Sequence, residues 1–600
     1  MKILVKIYRA LIATVRPLHR EWPFFIFAVL LLRPALFHNA YFEMFGDWLG
    51  GNSTFREQLT YFADFMTTLT FASILTYIVA FTGKVVKQGG YLLLLALFLM
   101  SIFLSFVFDR KINMLTLQQI IETNSAESKE FISVFALSKG GIGAMALTFA
   151  FFIAITFVEK FRDKIEAFAV KISRPWLKTT VAVVLILSIV AGIIPLLKVD
   201  FYRDKIIRNY PLNTMTCMLY SVYGFREEAD KMNNVDKCVA WLNHETVGTK
   251  EVDDSLNVIF ILGESFIRSH GQTYGYRLPT TPRLAAEKEC GNLFQFADAV
   301  SPYCSTTEII KNVFFMNSCG EDEDWSESPF FPQLFRQAGF FVNMCDNQTP
   351  SATTEDFDKA GRLLLHKKSI TKNAYSAVTP IRHQYDLDNI IEFDDINKDN
   401  NPPRQLLIFH LMGQHIYATE RYPHVEPFVK FTEDDYPQSQ PYLDVEHRRV
   451  MAAWDNATVY NDSVIAYVID RYRDANTLLV YFSDHGEEVY DYRDRYGRHE
   501  PERDKIGEWA HCVFDVPFFI WCSDKYMRRH PDKVKAIKAA LDRQFSTDVV
   551  PNMVINLSGL STRYYRAEHD PLSREYRPSR RLIHSSDGQI FDYDKVTGRR

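Results

Sequence analysis

The sequence has no surplus of positive charge. Its 68 lysines and arginines stand against 73 aspartates and glutamates, a formal net charge of −5 over 600 residues. Nucleic-acid binding needs a basic field, so that class of partner is excluded. Repeats and low-complexity tracts are absent, and 47% hydrophobic with 24% charged residues is neither a disordered nor a collagen-like composition. No cysteine occurs before position 217: all eight (217, 238, 290, 304, 319, 345, 512 and 522) fall in the later two-thirds. No small-residue cleavage site follows the basic N-terminus and first apolar stretch, so that stretch reads as a retained anchor and not as a removed signal.

What is present is a chain of two unlike parts. Five apolar stretches lie within the first 200 residues, at 22–42, 60–81, 91–108, 141–157 and 179–197. About 20 apolar residues cross a bilayer core of about 30 Å. The first stretch is interrupted by Arg33 and Pro34, and the fourth is short. Basic residues set the orientation. Lys2, Lys6, Arg9, Arg16 and Arg20 precede the first stretch, Lys84 and Lys87 lie in the second connection, and Lys160, Arg162, Lys164, Lys171, Arg174 and Lys178 lie in the fourth. The N-terminus and even connections are therefore expected in the cytoplasm. An odd number of spans then places the rest on the far side, an oxidising compartment where disulfides persist. The expected organisation is a five-helix transmembrane domain over 1–200, a linker with amphipathic helices over 201–250 and a globular domain over 251–600.

In the globular part, short β-branched and aromatic runs recur at 257–262, 340–344, 405–410, 477–482 and 516–521, with helical patterns between them, for example 450–472. That alternation predicts an α/β domain with a mostly parallel sheet. Such sheets bind ligands beyond the carboxyl ends of their strands. Ionisable residues gather there: Glu264 after the first run, His410 at the end of the third with His415 following, and Asp484-His485 after the fourth. A carboxylate or imidazole at a strand end is often only a solvated or capping group. Two carboxylates and an imidazole together also suit Zn²⁺, with a position open for substrate. The segment Ser301-Pro-Tyr-Cys-Ser-Thr-Thr-Glu308 offers hydroxyls ahead of an apolar helical stretch. A threonine there can be a helix N-cap. The same geometry turns backbone N–H groups toward a phosphate, so cap and nucleophile are compatible. Cys304 and Cys319 bracket this segment and are the candidate disulfide pair; eight cysteines allow 105 connectivities, and no others are assigned.

Taken together, VIFILGESFIRSHGQTYGY (258–276), TTPRL (280–284), SPYCSTTEII (301–310), FHLMGQHIYATERYP (409–423), WDNATVYNDSV (454–464) and YFSDHGEEVYD (481–491) resemble the membrane-bound phosphoethanolamine transferases. These belong to the alkaline-phosphatase-like superfamily, with the sulfatases and phosphoglycerol transferases. The resemblance covers nearly the whole chain and implies five spans, a linker and a periplasmic sulfatase-like domain in a bacterial inner membrane. It matches Glu264, Asp484 and His485 to zinc ligands. It matches Thr306, in preference to Thr307, to the nucleophile that also faces the metal. His410 and His415 match histidines that hold the donor phosphate or a second, weaker zinc beside the one tight site. A further histidine assisting the leaving group corresponds to His499 or His511, with His499 favoured. Gln119, Thr123 and Glu127 lie at four-residue spacing in the third connection, on one face of a helix, or on an ordinary solvated face. In the family such a face contacts the lipid headgroup, where Glu127 could receive the ethanolamine ammonium.

The resemblance implies transfer of phosphoethanolamine from phosphatidylethanolamine, through a covalent phospho-threonine, to a glycolipid such as lipid A or lipopolysaccharide core, by a monomer. The sequence departs from many members in reading TTEIIKN after Ser305, and it has no lysine near Asp346-Asn347. A phosphoglycerol transferase, or another phosphodiesterase of the superfamily acting on envelope glycans, is the alternative. A sulfatase needs C/S-x-P-x-R, and Cys304 is followed by neither the proline nor the arginine. The Asp-x-x-x-His of two-metal phosphatases is missing from this region. A non-enzymatic relative would have lost ligands, and all four candidates remain.

Overall fold

In the computed structural model, residues 13–37, 55–108, 112–113, 116–117, 132–172, 175–197, 213–249, 253–320, 323–348, 364–379, 383–415, 417–586 and 588–599 are described. The chain divides into two units, Met1–Glu227 and Glu228–Arg600.

The first unit is helical. Among the described residues, Phe62–Thr82, Lys84–Phe108 and Lys139–Lys160 are long and apolar enough to cross a membrane. Trp22–Leu31 and Ala182–Ile193 are shorter apolar segments, the latter inside the helix Pro175–Leu197. Helix thus overlaps the described part of each expected stretch, and among the described residues three of the five reach spanning length. The first stops early for a local reason. Pro34 disfavours helix in the residue before it and starts a 3-10 turn, Pro34–Phe37. Arg33 is thereby turned inward, where its guanidinium lies 3.2 Å from Asp64, both buried. Asp64 also accepts the Asn213 backbone N–H at 2.9 Å, so this charge is paired and hydrogen-bonded as burial in apolar surroundings demands.

The second unit is built on a seven-stranded sheet. Its strands are β1 (Leu256–Gly263), β2 (Leu293–Gln295), β3 (Phe341–Asp346), β4 (Ala377–Thr379), β5 (Arg404–His410), β6 (Thr477–Ser483) and β7 (Phe518–Cys522), in the order β2-β7-β6-β1-β5-β3-β4. The five strands from β6 to β4 run parallel, and β7 is antiparallel to both β6 and β2. The sheet is therefore mixed: four of its six strand pairings are parallel, and β7 makes the two antiparallel ones. The edge strand β2 is three residues long, too short to read from sequence.

β1 is a continuous apolar run because both of its faces are covered. Alternate residues Val258, Phe260 and Leu262 pack in one core with Ile310, Val313, Phe314 and Phe331. Ile259 and Ile261 face the other, with Trp454, Val464 and Ile465 of the long helix Val445–Tyr472. Among the described residues of the expected linker, the helix Thr214–Leu242 runs ahead of the sheet.

Candidate active site

Neighbouring parallel strands end side by side and deliver the polar residues together. Glu264 follows β1 and Asp484 follows β6, with Gly263 opposite Ser483. His410 ends β5 opposite Leu262 of β1, and Asp346 ends β3 opposite His410. Glu264, Asp484 and His485 are fully buried, and each offers a ligand atom within 4.8 Å of the others. His485 Nε2 lies 3.1 Å from Asp484 Oδ2 and 3.5 Å from Glu264 Oε1. His485 Nδ1 sits 2.9 Å from the Gly486 carbonyl, which makes it the N–H donor and leaves the Nε2 lone pair facing the carboxylates and Arg498.

The backbone around the cluster is tightly specified. Ser265 has a left-handed conformation, φ 56°, uncommon for a residue with a side chain. In return its N–H donates to Asp484 Oδ1 (3.0 Å) and its hydroxyl to Glu264 Oε1 (2.7 Å). Gly413 has φ 50°, and a Cβ there would stand 2.7 Å from the Glu264 carbonyl oxygen. The loop carrying Gly413 is held by Asp386, which accepts the Met412 and Gly413 N–H groups at 2.8 Å each.

Thr306 begins the helix Thr306–Phe314. Its Oγ1 donates to Glu264 Oε2 at 3.0 Å, while Thr307 is buried. The N-cap is Ser305, whose side chain makes no capping hydrogen bond to the first-turn N–H groups. Two residues on, Glu308 pairs with the buried Lys311 at 2.9 Å, and Lys311 also reaches Glu228 at 3.0 Å.

The cluster carries more negative charge than its protein partners balance. Burial, then the facing Glu264, pushes the Asp484 carboxyl well above the usual carboxylate range. Burial, then Arg498, pushes His485 down to about 3. Asp484 Oδ2 is buried and takes no hydrogen bond among the described residues. A buried carboxylate oxygen without a hydrogen bond, beside an imidazole lone pair and a second carboxylate, is the donor set of a divalent cation, and these residues fit zinc.

Other expected residues fall in different places. The His410 Nδ1 is 3.0 Å from Asp346 Oδ1. His415 belongs to the Glu264 environment: burial works to raise the Glu264 carboxyl, and His485, His415 and Arg498 hold it below the usual range. His499 has Nε2 on the Tyr496 carbonyl at 3.0 Å and its backbone N–H on Glu488 at 3.1 Å. His511 pairs with Asp515 at 3.2 Å. Gln119, Thr123 and Glu127 lie outside the described residues.

Three further residues enter that sequence reasoning did not assign. Arg498, next to His499, puts Nη1 2.5 Å from His485 Nε2, donates to the Cys304 carbonyl at 2.8 Å and lies 3.3 Å from Glu487. Gln348 donates to Glu264 Oε2 at 2.9 Å and to the Leu411 carbonyl at 2.7 Å. Asp346 is the third. The Asp346-Asn347-Gln348 run following the β3 pattern was the available signal.

The Cys304–Cys319 pair does not form; all eight cysteines are free thiols. The strand Leu582–His584 takes up both sulfurs. Cys304 Sγ donates to the His584 carbonyl (3.4 Å), and Cys319 Sγ lies 3.2 Å from His584 Nε2.

A mixed sheet with a buried carboxylate–imidazole cluster and a threonine hydroxyl at the first turn of a helix beside its strand ends defines an alkaline-phosphatase/sulfatase-type domain. The sulfatase family model matches residues 256–553. The phosphoethanolamine transferase EptC of Escherichia coli K12 is 25% identical over 511 residues, 82% of this chain and 83% of the relative. The Kdo(2)-lipid A phosphoethanolamine 7''-transferase of Salmonella typhimurium is 28% identical over 298 residues, 47% of this chain and 46% of the relative. The integral membrane lipooligosaccharide phosphoethanolamine transferase A of Neisseria meningitidis shares the fold, with a TM-score of 0.58 and 19% identity over 92% of this chain and 98% of that one. Residues 256–553 thus match the sulfatase family, and the chain is similar over most of its length to phosphoethanolamine transferases of the alkaline-phosphatase/sulfatase superfamily.

Proposed function

We propose that the protein transfers phosphoethanolamine from phosphatidylethanolamine to an envelope glycolipid, lipid A or lipopolysaccharide core, by way of a phosphoethanolamine ester on Thr306. The observation that carries this reading is the Thr306 hydroxyl, 3.0 Å from Glu264 at the edge of the carboxylate–imidazole cluster and at the N-terminus of a helix. One zinc ion would be held by Glu264, Asp484, His485 and Thr306, and a second, weaker one by His410 and His415. When bound, zinc lowers the pKa of the hydroxyl it meets and offsets charge on phosphate oxygens.

The chain's own residues do the rest. Glu264 accepts the Thr306 proton's hydrogen bond and so aims an oxygen lone pair outward. Thr306 Oγ1 gives up its proton to Glu264 as it attacks phosphorus in line; the bond from phosphorus to the diacylglycerol oxygen breaks, its electron pair stays on that oxygen, and the proton passes to it, releasing diacylglycerol. The first-turn N–H groups and the Arg498 guanidinium receive the developing phosphoryl charge. His410, His415 and His499 are assigned to the substrate side, and Thr123 and Glu127 to the donor headgroup. The apolar helices keep donor and site at one membrane surface, a gain in proximity. Five spans in a bacterial inner membrane place this unit in the periplasm, and the active form is a monomer.

The test is the intact mass of the purified chain after incubation with phosphatidylethanolamine and zinc, without acceptor. A phosphoethanolamine adduct on the wild type, absent from Thr306→Ala, is the expected result. An adduct that persists in Thr306→Ala moves the nucleophile to Thr307. A zinc-loaded wild type that takes no adduct overturns the donor and turns attention to a phosphoglycerol lipid.

A further inference from the structure

The amino ends of β1, β3 and β5 border a cavity of about 490 Å³, inside the range of about 300–1,000 Å³ of small-molecule sites. It lies at the other end of the sheet from the metal cluster. Asn257, on its wall, precedes Glu264 by seven residues, about 23 Å at the rise of a parallel strand. Three of its wall residues are amides within the first three positions of their strands: Asn257, Asn343 and Gln405. A parallel strand covered on both faces is normally apolar there, so the fold alone does not call for them. Gln405 Nε2 donates to Asn257 Oδ1 at 2.8 Å, and Asn343 Nδ2 donates to Asn397 Oδ1 at 3.0 Å. Asn343 is 1% exposed, and its Oδ1 is buried with no donor among the described residues. An unmet buried acceptor is costly until a donor arrives.

The remaining lining narrows the ligand. Asp394 and Asp474 balance Lys398 and Arg471, and Arg471 Nε already lies 3.5 Å from Asp394. The helices Asp386–Asn397 and Val445–Tyr472 both end at the cavity, which therefore meets the negative ends of two helix dipoles. Both facts disfavour phosphate and other anions. Each amide offers a donor beside an acceptor, the pattern that neighbouring sugar hydroxyls also present. Phe341, Phe393 and Tyr472 supply apolar ring surface for the C–H face of a saccharide.

We propose that this cavity binds a neutral sugar ring, held by the Asn257, Asn343, Asn397 and Gln405 amides against the aromatic side chains. A sugar hydroxyl supplies the donor that Asn343 Oδ1 lacks. The site lies away from the transfer chemistry and does not rest on the Thr306 reading. The saccharide is either an outer part of a glycolipid acceptor or a free glycan, and both present the same chemistry. In the first case the site tethers the acceptor and raises its effective concentration.

The experiment is a calorimetric titration of the full chain in detergent with glucose, galactose and a dephosphorylated lipopolysaccharide core oligosaccharide. At least one of them is expected to bind with a Kd of about 1 mM or below. Asn343→Asp keeps the side-chain shape and adds negative charge, and Asn397→Ala removes the partner amide; each should weaken binding about 10-fold at an unchanged melting temperature. If the aspartate variant fails to fold, Asn397→Ala decides. Inorganic phosphate should not displace the sugar. A wild type that binds none of the three at about 20 mM, equal affinity in Asn397→Ala, or displacement by phosphate overturns the inference. Transfer to lipid A and to whole lipopolysaccharide, measured in Asn397→Ala, separates the two sources. A raised KM for lipopolysaccharide alone, with kcat unchanged, supports the site as a holder of the acceptor's glycan. Unchanged transfer to both, with sugar affinity lost, supports it as a site for a free glycan.

Discussion

At the residue scale the site depends on charges that neutralise one another at short range. Arg498 is the clearest case, because it brings a permanent positive charge to His485, Glu487 and the Cys304 carbonyl. Arg498→Ala leaves Glu264, Asp484 and Glu487 buried with less opposing charge, and removes a guanidinium fork suited to phosphate oxygens. Transfer should fall about 10²- to 10³-fold in kcat, comparable to the loss of one transition-state donor. Arg498→Lys should recover only part of it, since charge returns without the fork. Turnover and zinc stoichiometry measured on the same preparations check this; an alanine variant with wild-type turnover would remove Arg498 from the chemistry. The same neighbourhood marks the limit of sequence reading. Glu264, Asp484 and His485 were legible because each sits directly after a strand whose end is an apolar run. Arg498 and His499 lie in a loop whose only order is the two-residue ladder Glu488–Val489 with Tyr496–Gly497. No periodicity distinguishes which neighbour turns inward there, and the histidine was chosen where the arginine reaches the cluster.

At the scale of elements, the position of Glu264 depends on how closely the loop after β5 can approach the end of β1. Gly413 makes that approach possible, since a Cβ there would lie 2.7 Å from the Glu264 carbonyl oxygen and 2.9 Å from its nitrogen, on a backbone with φ 50°. Both contacts are with main chain, which cannot yield as the tip of a flexible side chain can. Gly413→Ala is expected to cost about 1–3 kcal/mol through strain and to displace the Glu264 carboxylate. Zinc affinity should fall together with melting temperature, and metal titration against a chelator checks the first. Wild-type affinity in the alanine variant would mean that the strand end has room to move. β1, β3, β5 and β6 were readable because a buried parallel strand is an uninterrupted apolar run. β2 and β4 were not, at three residues each, and nothing in 518–522 marks β7 as antiparallel. Direction is decided by β7 pairing with β6 and β2, a long-range choice that local pattern does not encode.

At the scale of the whole molecule, the chain combines an apolar helical unit with a polar catalytic one, and the stability of the second is linked to pH through a network away from the chemistry. His270 is buried between Asp455, 2.7 Å from Nδ1, and Asp491, 2.8 Å from Nε2. Asp455 also accepts the Tyr276 and Tyr436 hydroxyls. The network joins three distant parts of the sequence: the turn after β1, the helix Val445–Tyr472 and the loop after β6. With a carboxylate on each ring nitrogen, the imidazole must be doubly protonated to satisfy both. Burial works against that charge, but Asp491 and Asp455 outweigh it and raise His270 to about 10. The unfolded value is about 6.5. A group whose pKa rises on folding contributes stability that is fully present below the unfolded value and is lost as pH climbs through the folded one. The contribution should therefore be complete below about pH 6.5, shrink across the following units and vanish above about pH 10. In His270→Gln the bridge cannot carry a charge at any pH. The difference in unfolding midpoint between wild type and His270→Gln should thus be largest at pH 6 and close as pH approaches 10, at constant ionic strength and zinc. A difference that stays constant across that range would mean that the bridge holds by shape and hydrogen bonding alone, with a neutral ring.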